Sequence, residues 1–531
     1  MQKIIQKLYT KRLLYAACFI LFMLIDWTRG SQIGVVWAWT VNMTGIVMAL
    51  IIFSSLKSGE LRRKEYLVYT VLCAVALPLS YLWWQCHQAV IYRDKLLSAV
   101  LNVWVLGILL IRAGKEMAGR IRRKETVLRR PALWQILGGL MLLWMFFSRN
   151  EDVWPLWYLM LFGLFYAADF SEQDKKLLLL GALDGILAGF FLLQGAAFVF
   201  RPYDDPSHRY LGIYGNANMN ALFYCIVLTA FLIRLHLIRI NHGSKMKAAL
   251  CFLMTGGVGG FLILTVSKTA WIAALLIGAA FVFLAELKQL RLKANKVVLH
   301  IVVMLLLVII AIPVDYGIAR YLPPIFHHPV WFDGEYSEER VHSWDPWNSD
   351  KYVSFSDAIT GISERIGPYL ELIGEKLTVH AQELTSTGEQ TVPKENTDVK
   401  VERDSRFDSS TGRILIWKYY LQGGKLWGHS SRDGHGESLG WYVWHAQNMF
   451  IQLWYYYGIP SALLFAACLL VLLILAVQRS WKQDDEQALA AALFFLLFLL
   501  YGLVEATWYP GQMILLLAFF MPKYIQNKEK K

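Results

Sequence analysis

The sequence predicts an all-α polytopic membrane protein with about 14 (12–14) transmembrane helices and one large external loop containing short helices. Three observations lead there. Of 531 residues, 56% are hydrophobic and only 17% charged, with 21 Trp and a mean hydropathy of +0.41, far from the composition of a soluble domain. Apolar runs of about 17–25 residues recur, each long enough to cross a hydrocarbon core of roughly 30 Å as a helix. A single polar stretch, Asp315 to Gln447, stands between these runs and divides the chain into residues 1–314, 315–447 and 448–531.

The expected spans fall near 13–27, 33–53, 66–84, 96–111, 132–147, 154–170, 177–200, 220–238, 248–266, 269–286, 297–313, 448–477, 488–505 and 508–524. The first is entered by LysArgLeuLeuTyrAlaAlaCys at 11–18 with no small-residue cleavage site behind it, so it is expected to stay as an anchor.

Charge orients the stack. With the N-terminus in the cytoplasm, alternate loops carry Lys3, Lys7, Lys11 and Arg12, then Lys57, Arg62, Arg63 and Lys64, then eight basic residues between Arg112 and Arg130. Further basic groups follow at 239–247, 288–296 and 523–531, whereas the opposite loops are short and nearly uncharged. That asymmetry predicts cytoplasmic termini and an external large loop. The loop holds thirteen Lys and Arg against twenty Asp and Glu, a net of −7, so the chain's formal +12 belongs to the other face and no nucleic-acid partner is expected. The basic 112–130 loop is expected to meet anionic headgroups of membrane lipids. Cysteines lie in or at the end of apolar spans, which excludes a disulfide framework or a Cys-based metal site in the loop.

Within the loop, 321–357 is rich in Trp, Pro, His and Asp without a period. From Ser356 to about Leu384, Ile359, Ile362, Ile366, Leu370, Ile373 and Leu377 recur at helical steps behind a Ser/Asp start, predicting an amphipathic helix that lies flat on the bilayer or caps the bundle. Residues 385–409 are polar and predicted mobile. SerThrGlyArgIleLeuIleTrpLysTyrTyrLeuGlnGlyGly at 410–424 opens on a capping residue and closes on a glycine pair, predicting a short helix with Arg413 near its N-terminus, a sensible place for an anion.

Four segments carry a resemblance. ArgTyrLeuGlyIleTyrGlyAsnAlaAsnMetAsnAla at 209–221, ThrValSerLysThrAlaTrpIle at 265–272, GlyArgIleLeuIleTrp at 412–417 with LeuTrpGly at 426–428, and HisAlaGlnAsnMetPheIleGlnLeuTrpTyrTyrTyrGlyIlePro at 445–460 resemble, in order, the O-antigen ligase and Wzy-type polymerase superfamily of bacterial membrane glycosyltransferases. The resemblance implies a GT-C-like fold in the bacterial cytoplasmic (inner) membrane. It also implies transfer of a glycan from a polyprenyl diphosphate carrier to an acceptor hydroxyl outside, the acceptor being another glycan, a lipid or a wall polymer. Two positions depart from the family pattern. Lys268 stands where arginine usually follows the serine, and Gln447 stands directly before Asn448, where the family commonly has histidine; His445 lies two residues earlier.

The implied chemistry suits these residue types. A sugar diphosphate lipid is already activated, so fixed cations that stabilise the leaving diphosphate are what the reaction chiefly needs. Arg413, Lys268 and Arg209 are the candidates for that role, with Arg413 and His445 as catalytic residues, the histidine as base for the acceptor. Asn448, Gln447 and Asn216 are candidates for support. A single displacement would invert the anomeric centre, without metal or cofactor. The first external loop, AspTrpThrArgGlySerGln at 26–32, has one acid where many membrane glycosyltransferases pair two on a cation, and Asp333 with Glu335 and Glu402 with Asp404 are the remaining close pairs.

Each residue has a plainer alternative. Lys268 is also placed to snorkel to water, Arg413 to bind headgroups, His445 to hydrogen-bond at the interface, and Arg209 with Asn216, Asn218 and Asn220 to order a turn. Asp184, amid apolar residues, reads as a proton relay or as a protonated or Ser/Thr-paired structural acid. His327, His328 and His342 lack metal-ligand spacing. Trp83, Trp84, Trp154, Trp157, Trp441, Trp444, Trp454 and Trp508 read mostly as interfacial anchors. The rival from another class is a transporter or flippase of lipid-linked saccharides, which would show related halves and interrupted helices at mid-bilayer; no internal repeat is evident.

Overall fold

The computed structural model describes residues 2–30, 37–54, 63–87, 93–122, 132–150, 162–166, 168, 170–203, 208–326, 352–367, 410–430, 445–509 and 511–525. Among them all regular structure is helical. Among the described residues six helices are long and apolar enough to cross a membrane: Glu172–Phe200, Ala217–Ile240, Lys245–Leu264, Lys268–Gln289, Ala294–Ile325 and Ile459–Gln483. Shorter apolar helices cover Met43–Phe53, Leu133–Phe147, Glu486–Gly502 and Met513–Ile525. Their lipid-side faces are the exposed apolar ones, such as Leu299, Val302, Leu305, Leu306 and Ile309 on the Ala294–Ile325 helix.

Several expected spans change shape. The run at 297–313 continues as helix to Ile325, because AspTyrGlyIleAlaArgTyr after Pro313 keeps helical bonding; Asp315 therefore lies inside a helix rather than at the start of the polar loop. The run at 448–477 is two helices, Met449–Tyr457 and Ile459–Gln483, hinged at Gly458, whose φ of +91° ends one and starts the other. The run at 488–505 stops at Gly502, and the chain turns at 503–509 before the next helix starts at Met513. That turn folds back into the bundle and buries Trp508 against Phe465 and Phe519, so Trp508 is core rather than an interfacial anchor.

The first helix, Gln2–Gly30, packs on Glu172–Phe200 through glycines at steps of four. A Cβ at Gly181 would stand 2.5 Å from Tyr15 Cβ, and one at Gly185 2.5 Å from the Ala16 carbonyl oxygen. This is the close approach that small residues permit between membrane helices. Asp184, on the same helix, pairs with Arg12 at 2.5 Å and Arg234 at 3.4 Å. It is thus neither a Ser/Thr-paired nor an unpaired acid but the shared counter-ion of two helices. Asp184→Ala leaves both guanidinium groups without it, with an expected loss of about 1–3 kcal/mol. A thermal midpoint in detergent equal to wild type would refute this.

The helix ends define two faces. On one, Gln289 donates to the Ser480 carbonyl at 3.3 Å, and a crevice is lined by Glu172, Lys176, Leu237, Arg479 and Asp484. This face gathers Arg239, Lys245, Lys288, Arg291, Lys293 and Lys482 at or beside its turns. On the other, Tyr210 N donates to the Leu264 carbonyl at 2.8 Å and Asn218 reaches Glu505. The polar loop's helix begins here. Residues 355–367 are helical, Ser354 and Asp357 cap each other's backbone N–H groups, Val353 N donates to the Tyr203 carbonyl at 3.0 Å, and Tyr316 donates to the Val353 carbonyl at 2.9 Å. The described part of the amphipathic helix therefore caps the bundle.

Candidate functional site

Ser410–Gln422 is a helix, as the capping serine and glycine pair predict, and it is clamped at its C-terminal side. The following LeuTrpGlyHis turn at 426–429 lies against the Gly458 hinge. His429 N donates to the Tyr456 carbonyl at 3.2 Å, the His429 ring stacks on Tyr455 at 4.1 Å, and Trp427 stacks on Trp144 at 4.4 Å. Leu426 O would stand 2.0 Å from a Cβ on Gly458, and Tyr456 O 2.1 Å from one on Gly428. Two facing glycines let backbone meet backbone here. Ile416 and Tyr420 bury against Ala446 and Tyr455.

This docking aims Arg413 at the bundle. Its Nε donates to Gln447 Oε1 at 3.2 Å and its terminal nitrogen pairs with Glu505 Oε1 at 3.2 Å. The same Glu505 oxygen accepts from Asn218 Nδ2 at 3.1 Å, Asn218 Oδ1 accepts from Arg209 at 2.7 Å, and Arg209 Nε donates to the Thr265 carbonyl at 3.0 Å. Ser267 Oγ makes a long 3.5 Å contact with the same Asn218 oxygen. Gln447 N donates to His445 Nδ1 at 3.2 Å. Five segments far apart in sequence thus form one polar network at the end of the bundle opposite the basic turns.

Of the residues expected at a site, Arg413 and Gln447 touch directly, Arg209 joins them through Asn218 and Glu505, and His445 through the Gln447 backbone. Lys268, half-buried, opens the Lys268–Phe281 helix beside Ser267. Gln447 rather than His445 touches Arg413. Because His445 Nδ1 accepts a backbone N–H, the neutral ring carries its proton on Nε2 and is a donor there; acting as base requires Nδ1 to release Gln447. Asn216 and Asn448 are helix caps, accepting from Asn218 N and Met219 N and from Phe450 N and Ile451 N respectively. Asn448 also donates to the Leu503 carbonyl at 2.8 Å, which ties the HisAlaGlnAsn turn to the chain just before Glu505.

Three of the six non-glycine residues with left-handed backbone among the described residues flank the network: His208 (φ 58°), Val266 (φ 51°) and Gln447 (φ 48°). For β-branched Val266 this costs about 1–3 kcal/mol. The turn that holds it presents the Thr265 carbonyl to Arg209, so the strain is spent on orienting a cation.

Glu505 was not legible as a site residue. It sits beyond the helix end at Gly502, its side chain 17% exposed, and it joins Arg413 to Asn218. Burial pushes its carboxyl up to about 7, against the Arg413 and Arg209 guanidinium groups and the Asn218 amide, which favour the charged form. Both of its bonds fall on Oε1; among the described residues nothing hydrogen-bonds Oε2.

Among the described residues no three His, Cys, Asp or Glu side chains group as a metal site. The pairs Asp333 with Glu335 and Glu402 with Asp404, and His327, His328 and His342, lie outside the described residues. No protein-family model, curated protein or solved structure matches the chain.

Proposed function

We propose that this chain is a multipass glycosyltransferase of the O-antigen ligase and polymerase type, GT-C-like, with about 14 crossings in the bacterial cytoplasmic membrane and its termini in the cytoplasm. It transfers a glycan from a polyprenyl diphosphate carrier to an acceptor hydroxyl on the outer face, by one inverting displacement that uses no metal. One observation carries the reading. The four segments that resemble the superfamily, spread from 209 to 460, each place a side chain or carbonyl in the single network that Glu505 joins, with Arg209, Asn218 and Thr265 on one side of it and Arg413 and Gln447 on the other. Coincidental matches would have no reason to meet.

In this reading Arg413 and Arg209 hold the diphosphate and take up the negative charge that grows as the anomeric bond breaks, with Lys268 adding a third cation. Buried surroundings strengthen those contacts. His445 receives the acceptor's proton on Nδ1 as the Gln447 turn releases it. The network's place at the end of the bundle favours chemistry over transport, since carriers bind substrate near mid-bilayer at the junction of repeated halves.

The test uses purified protein in liposomes with a polyprenyl-diphosphate oligosaccharide, candidate acceptors and a chelator. Transfer of glycan with release of polyprenyl diphosphate is expected. Translocation of intact donor without release would assign the chain to the transporters instead.

A further inference from the structure

Glu505 poses a conflict. The site is read as binding an anion, yet a carboxylate sits among its donors: Glu505 Oε1 takes Arg413 at 3.2 Å and Asn218 at 3.1 Å. A diphosphate bound to Arg413 would lie within a few ångströms of that carboxylate, and two anions so close do not both stay charged in a poorly solvated place. Resting on the reading that this site takes a lipid-linked diphosphate, we propose that Glu505 is an internal stand-in for that anion. It occupies the donors of Arg413 and Asn218, and it yields Arg413 by taking a proton, so that diphosphate binding is accompanied by proton uptake.

The geometry supplies a place for the proton. Oε1 remains an acceptor for the Asn218 amide, while Oε2, without a hydrogen-bond partner among the described residues, becomes the O–H. The proton comes from the medium; no bond to the substrate is made or broken. The charged and titratable groups that face Glu505 are Arg413 from the Ser410–Gln422 helix, Arg209 from the 208–211 segment and Tyr501 from the end of the Glu486–Gly502 helix. His445 stands one contact further off, through Gln447, and Lys268 adjoins Ser267. Above about pH 7 the cations keep Glu505 charged while no anion competes for them. An arriving diphosphate both takes those cations and repels the carboxylate, and the two effects push the same way.

The sign of the pH dependence follows. Below about 7 Glu505 is already protonated and the coupling vanishes; above it each bound diphosphate must bring a proton, so affinity falls as pH rises. The experiment measures binding of farnesyl diphosphate to the full-length protein in detergent from pH 6 to 9, with calorimetry in two buffers of different ionisation enthalpy. Wild type is expected to weaken by up to about tenfold per pH unit above 7 and to take up close to one proton at pH 8. Glu505→Gln, which keeps an acceptor for Arg413 and Asn218, should take up none and bind more tightly than wild type at pH 8–9; Glu505→Ala should be equally free of uptake. If both variants keep the wild-type proton uptake, the proposal is overturned and the diphosphate site stands. If wild type binds no farnesyl diphosphate at any pH, the diphosphate reading and the proposal both fall.

Discussion

Arg413→Ala is expected to lower glycan transfer by about 10²–10³-fold, the usual cost of removing one fixed donor from a developing oxyanion. Arg413 makes two directed contacts from one guanidinium, to Gln447 and Glu505, and both come from segments that the Ser410–Gln422 helix must reach across the end of the bundle. Truncation removes the fork and leaves Glu505 beside Asn218 with its nearest cation gone. Arg413→Lys keeps the charge but cannot reproduce both contacts, and should retain only part of the rate. Because the lost interaction matters most as the diphosphate departs, the fall should appear in kcat more than in KM. A variant that turns over at the wild-type rate would remove Arg413 from the chemistry.

Gly458→Ala should be the most damaging change away from the network. A side chain there would meet Leu426 O at 2.0 Å, and a φ of +91° is strained for any residue but glycine. The LeuTrpGlyHis turn must then leave the hinge, taking with it the stack of Trp427 on Trp144 and the His429 contacts that seat Arg413's helix. A loss of about 3 kcal/mol or more is expected. It would be read as a lower thermal midpoint together with faster tryptic cleavage after Lys425. Gly257→Ala, where a Cβ meets nothing within 4 Å, should do neither. Unchanged cleavage in Gly458→Ala would mean that the turn is not held by this contact.

Helices were legible because their apolar runs are long, and the Ser410–Gln422 helix because its cap and closing glycines are local signals. The first four site segments could be read for the same reason: each motif is short and contiguous. Glu505 could not, since in LeuValGluAlaThr it is one acid between two apolar runs, and its partners lie 92 and 287 residues away. The hinge at Gly458 was visible as GlyIlePro but was absorbed into a long hydrophobic run. The Gly181, Gly185 and Gly189 spacing was also available, and it would have placed Asp184 on a helix–helix seam. What no local pattern held was which of His445 and Gln447 touches Arg413, because that depends on the left-handed turn at Gln447 that aims its amide at Arg413.

The most direct measurement is an experimentally determined structure with a non-transferable polyprenyl-diphosphate sugar bound. The diphosphate should lie within hydrogen-bonding distance of both Arg413 and Arg209, with Glu505 still on Asn218 but parted from Arg413. A diphosphate bound elsewhere, with the Arg413–Glu505 pair intact, would contradict the assignment of this network as the site of glycan transfer.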